Sequence, residues 1–188
     1  PIKVEVPNLN DYYVAQMRKD LQGEIGFAWE NWQSAANFCL QNNINLDEAL
    51  RWSDYSISGT FVGQANFRTL STKGQILAKL GKQKQADSLM NLAINQPTAG
   101  VMDLHTYARS LQAQGRKQDA MKIFELNAQR NPKEWVPHWG LARGYSSLGD
   151  YGKALKAAEK ALSLNPDDGN KKNIQAGIEK LKAGKDVN

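Results

Sequence analysis

The chain has 188 residues, with 24 Lys/Arg against 19 Asp/Glu, two histidines and one cysteine. One cysteine closes no internal disulfide, and one cysteine with two histidines falls short of the usual Cys/His zinc sets; no apolar run approaches the ~18 residues of a membrane-spanning helix. The net charge of +5 arises wholly after residue 100, because residues 1–100 carry nine basic and nine acidic side chains and residues 101–188 carry fifteen and ten.

At the start, Pro1–Pro7 alternates Ile2, Val4 and Val6 with polar residues, as a half-buried strand does. Two readings stay open for residues 1–8, the last strand of an upstream β domain and a disordered tail. Residues 9–188 are expected to form a single helical domain, a length that suits about four repeats and a cap around one continuous core. Tyr12–Leu21 reads as a first helix with Tyr13, Met17 and Leu21 on one face, and GFAWENWQSAANFCLQNN reads as a second, dense in aromatics. Within it Cys39 stands between Phe38 and Leu40, which makes it a buried structural thiol and not a nucleophile.

Further along, a period takes over. Gly81, Gly115 and Gly149 recur every 34 residues, as do Ala86, Ala120 and Ala154; Pro132 and Pro166 keep the interval, and Pro97 misses it by one residue. Each mark has a physical task. Glycine accepts the positive φ that ends a helix, alanine lets two helix backbones approach, and proline stops the second helix. A unit of about 34 residues built from two helices is the tetratricopeptide period.

Trp135–Pro166 resembles the tetratricopeptide repeat family at Leu141-Ala142, Tyr145, Gly149-Asp150-Tyr151, Ala154, Ala161 and Pro166. Residues 101–134 match it at Ala108, Leu111, Gly115, Ala120, Phe124 and Pro132, with Tyr107 where the family prefers leucine. Residues 67–100 match at Gly74, Leu77, Gly81, Ala86, Met90 and Ala93, and depart at Lys73 and the shifted Pro97. A degenerate unit over about 30–63 lays Ala36, Leu40 and Ala49 on the same template with Ile44 in the glycine slot, and residues 169–184 form a capping helix through Ile174, Ile178 and Leu181. The resemblance implies an all-α, right-handed superhelix, an α-α solenoid, that binds proteins and is not an enzyme. Taken whole, the strand end, the Trp-rich helix, the Asn42–Leu46 turn and the closing Glu179–Asp186 run resemble the C-terminal half of an uncharacterised bacterial family. Its members look like exported proteins in which a β domain of unknown function precedes such repeats; that resemblance implies an exported or periplasmic setting and brings no activity.

In tetratricopeptide superhelices the first helix of each unit lines the groove, and its inward slots here hold Phe38, Gln75, Arg109 and Arg143. Neighbouring inward slots hold His105, Gln112, Trp139 and Ser146 at one end and Arg68, Ser71 and Lys79 at the other. Arginine offers a planar fork for carboxylates and Trp139 an apolar anchor, so the expected ligand is an extended peptide or chain terminus bearing acidic groups. The lysine and asparagine set of the family's carboxylate clamp has no match here. Competing readings are that Arg109 and Arg143 pair with Asp103 or Asp150, or that the repeats scaffold an upstream domain through Trp29, Trp32 and Trp52. Nucleic-acid binding by Lys171, Lys172, Lys180, Lys182 and Lys185 is disfavoured, since no aromatic is interleaved among them. No cofactor is expected: Gly140–Gly144 lacks the strand of a phosphate loop, and Asp167–Asn170 lacks the ligand series of a calcium loop.

Overall fold

The glycines that mark the period each end a helix. The computed structural model describes residues 9–188, which form ten α-helices and one turn of 3-10 helix, with no strand among the described residues. In chain order the helices are α1 (Leu9–Asp20), α2 (Trp29–Asn42), α3 (Leu46–Ser58), α4 (Phe67–Lys79), α5 (Gln83–Ile94), α6 (Val101–Ala113), α7 (Lys117–Arg130), α8 (Trp135–Ser147), α9 (Tyr151–Ser163) and α10 (Asp168–Lys182). The strand expected at Ile2–Val6 lies outside the described residues. The helix expected from Tyr12 starts earlier, at Leu9.

Gly81, Gly115 and Gly149 take φ of 75°, 77° and 83°. After each, the next N–H turns back five residues, Lys82 to Leu77, Arg116 to Leu111 and Asp150 to Tyr145, at 2.9, 2.9 and 3.0 Å. That is the Schellman closure, which satisfies carbonyls a helix end leaves open. In the degenerate unit the glycine's task falls to Asn43, not Ile44: Asn43 takes φ of 53° and the Ile44 N–H returns to the Cys39 carbonyl at 3.0 Å. Asparagine tolerates the left-handed region that the β-branched Ile44 resists. Ala86, Ala120 and Ala154 are buried, as their place between paired helices requires.

The chain divides between Ala99 and Gly100 into two compact units. In the first, α2 packs on α3, α4 on α5, and α4 also meets α2 and α3. Its core joins Val14, Ala35, Ala36, Cys39, Leu40, Ala49, Trp52 and Ile76. One polar pair crosses it, Gln33 Nε2 donating to Thr72 Oγ1 at 2.9 Å. Arg18 clasps Glu48 through two nitrogens at 2.8 and 2.6 Å, and this holds the Glu48 carboxyl below its ordinary range.

In the second unit α6 packs on α7, α7 on α8, α8 on α9 and α9 on α10, with α8 also against α6. Phe124 is fully buried, which contributes on the order of 1.5–3 kcal/mol. It reaches α8 because Gly140 leaves room: a Cβ there would stand 2.6 Å from Phe124 Cδ1. Gly177 likewise lies against the Trp139 ring, which leaves no room for a Cβ there. Trp139, Ala142, Ala154, Ala158, Ala161, Ile174, Ile178 and Leu181 make this end of the core.

Candidate functional site: a basic face on α6 and α8

Helical spacing and the repeat together put six side chains into two matching rows. On α6, His105, Arg109 and Gln112 follow i, i+4, i+7; on α8, Trp139, Arg143 and Ser146 do the same, each 34 residues later. Gln112 Nε2 donates to the Arg143 carbonyl at 3.2 Å and so ties the two rows. The Arg143 guanidinium carbon lies 5.1 Å from the centre of the Trp139 ring, a cation–π contact. Trp139 is itself buried in the core that also holds Val187, so it backs the arginine, and little of its ring is uncovered while Val187 is in place.

The face is electrostatically unfinished. Three of its buried polar atoms have no hydrogen-bond partner: Arg143 Nε, His105 Nδ1 and Gln112 Oε1. Burial pushes the Arg143 guanidinium down to about 10, and Arg109 pushes the same way, with Asp186 opposing. His105, whose ring sits 5.7 Å from that of Phe124, is driven to about 4 by burial and then by Arg143 and Arg109. It is therefore neutral at pH 7. Two cations held near one another in a partly dry setting, one with an idle donor, favour an anion between them.

Neither acid considered as an internal partner is spent on the arginines. Asp103 Oδ2 accepts from the Gly100 N–H at 3.0 Å, capping α6. Asp150 caps α9 through the Lys153 N–H and pairs with the Lys153 ammonium, both at 3.0 Å. Of the other expected residues, Arg68, Gln75 and Lys79 lie exposed on α4 of the first unit, and Ser71 is buried with its hydroxyl on the Arg68 carbonyl at 3.1 Å. Phe38 is half-buried and meets Tyr13 of α1 edge-on, ring centres 5.9 Å apart, so that slot is already filled. Trp52 is buried, and Trp32 donates its indole N–H to the Gly26 carbonyl at 2.8 Å.

The periodicity gave no sign of one participant. After α10 the chain turns at Gly184 (φ 67°), and Asp186, Val187 and Asn188 run back onto α8. Ser146 Oγ donates to Asp186 Oδ1 at 2.6 Å. Its only sequence signal was an acidic residue after a lysine-rich helix. Elsewhere, burial pushes the Cys39 thiol up to about 11. Among the described residues no group of three His, Cys, Asp or Glu side chains could hold a metal, and no helix is long and apolar enough to cross a membrane.

Residues 136–168 match the family model of the tetratricopeptide repeat. No curated protein matches the chain. Among solved structures, YrrB, described as a tetratricopeptide repeat protein with an unusual peptide-binding site, is 18% identical with a TM-score of 0.54, over 88% of this chain and 83% of that one. MamA from residue 41 onward, from Desulfovibrio magneticus RS-1, is 17% identical with a TM-score of 0.51, over 86% and 90%. These likenesses, with helices packed in adjacent pairs and the match over α8 and α9, show an all-α helical-repeat fold of the tetratricopeptide type.

Proposed function

We propose that this chain is a non-enzymatic protein-interaction module that binds an acidic stretch of an extended peptide on the α6–α8 face. The observation that carries the reading is the Arg143 Nε, buried and without a partner beside a second arginine. A carboxylate arriving at the half-buried guanidinium relieves the repulsion between Arg109 and Arg143. Gln112 and His105 supply neutral edges to the same face. The peptide-binding site named for YrrB supports a peptide as the ligand class, and α-solenoids commonly recognise extended partners.

An immobilised library of acidic and chain-terminal peptides, probed at low salt, tests this. A charge-assisted hydrogen bond is worth about 1.5–3 kcal/mol, so Arg109→Ala/Arg143→Ala should weaken hits by about tenfold or more, and salt should weaken them too. Binding that ignores both arginines refutes the reading.

A second reading, the repeats as a scaffold for a neighbouring domain, rests on a different surface. Tyr12, Tyr13, Ile25 and Phe27 of the first unit are exposed, Phe27 at 79%, whereas Trp52, which that reading first invoked, is core. Oxidative footprinting of Tyr12 and Phe27, in the chain alone and beside such a domain, checks it; equal oxidation in both sinks it.

A further inference from the structure

Gly184 ends α10 as the repeat glycines end α4, α6 and α8. Its φ is 67°, and the Lys185 N–H returns to the Lys180 carbonyl at 2.9 Å. In the repeats this turn launches a second helix. Here it carries Asp186, Val187 and Asn188 onto the α8 row of the candidate site. Asp186 accepts from Ser146 Oγ at 2.6 Å, and the Val187 N–H donates to the same oxygen at 3.1 Å. Val187 is buried with Trp139, Ile178 and Leu181. Asn188 Nδ2 donates to the Arg143 carbonyl at 3.0 Å, the same oxygen that receives Gln112.

Thus residues 186–188 are read as a ligand would be: the acid by a hydroxyl, the β-branched side chain by an apolar pocket, the amide by a main-chain carbonyl. The fit is incomplete. Asp186 is the acidic group whose charge acts on Arg143, yet Arg143 Nε keeps no partner. A peptide that carries its carboxylate to Arg143 gains a contact the chain's own segment lacks.

We propose that Asp186–Val187–Asn188 is a tethered occupant of the α8 half of the site, and that the incoming peptide carries an acidic residue followed by a β-branched aliphatic residue and displaces it. The proposal rests on the peptide reading of the α6–α8 face. The occupied state lowers apparent affinity by the fraction of molecules whose site is free.

The test uses the full chain and a labelled synthetic peptide, Ala-Gly-Lys-Asp-Val-Asn, which repeats residues 183–188. Fluorescence anisotropy compares wild type with Asp186→Ala/Val187→Ser. The variant, its own segment released, should bind the peptide about tenfold tighter; equal affinity overturns the proposal. The strongest acidic hit from the library supplies the second arm. Added to wild type, it should speed hydrogen exchange at the Val187 amide, and protection that persists at saturation overturns displacement even if the variant folds poorly. A hit that binds through the arginines without disturbing Val187 leaves the peptide reading standing and removes only the tethered occupant. Failure of every acidic peptide to bind removes both.

Discussion

Acid should weaken this protein through His105 before it acts fully on the carboxylates. The imidazole's ordinary value is 6.5 and its folded value about 4, set first by burial and then by Arg143 and Arg109. Between those values the unfolded chain holds a proton that the folded chain refuses, so stability rises with pH across the window. The contribution is complete above about 6.5, is lost as the pH falls toward 4, and falls no further below it. From the two values the loss is about 2 kcal/mol between pH 7 and pH 5 and about 3 kcal/mol by pH 4. Carboxylates held low in the folded state, such as Glu48 beside Arg18, add their own loss at lower pH. The assay is therefore a difference: urea unfolding of wild type and His105→Gln from pH 7 to pH 4. The variant lacks the titrating ring and should lose about 2 kcal/mol less than wild type on going to pH 5. Parallel losses in the two proteins would show that His105 titrates normally, and the picture of a dry ring beside two arginines would fail.

Two further outcomes follow from packing. Gly140→Ala drives a methyl to 2.6 Å from the Phe124 ring, whereas at Gly144 the near atom is the Sδ of Met121, also at 2.6 Å. Overpacking a rigid ring costs about 1–3 kcal/mol, and a thioether can swing aside; thermal unfolding should show Gly140→Ala clearly less stable than Gly144→Ala, and equal melting would contradict the assignment. Cys39 is fully buried with its thiol near 11, so a disulfide reagent should label it only after denaturant is added; rapid labelling of the native chain would place the thiol elsewhere.

The amino-acid sequence by itself determined the helix pairs and their ends. Those are local matters: a glycine at positive φ closes a helix with bonds that reach five residues back, and helical spacing aligns His105, Arg109 and Gln112 whatever surrounds them. The 34-residue interval then repeats the row at Trp139, Arg143 and Ser146. Even the misplaced glycine slot was a local error of one residue, since Asn43 serves where Ile44 was expected. What those rows present was decided only by the tertiary structure. Trp139 turned from anchor to support because α10 offers Gly177 against its ring. Arg143 keeps an Nε without a partner, while Asp103 and Asp150 cap their own helices. The docking of residues 186–188 joins groups 40 to 45 positions apart. No periodic pattern encodes such contacts, because burial and the pairing of buried polar groups depend on which distant helices meet, and that is settled only when the chain has packed.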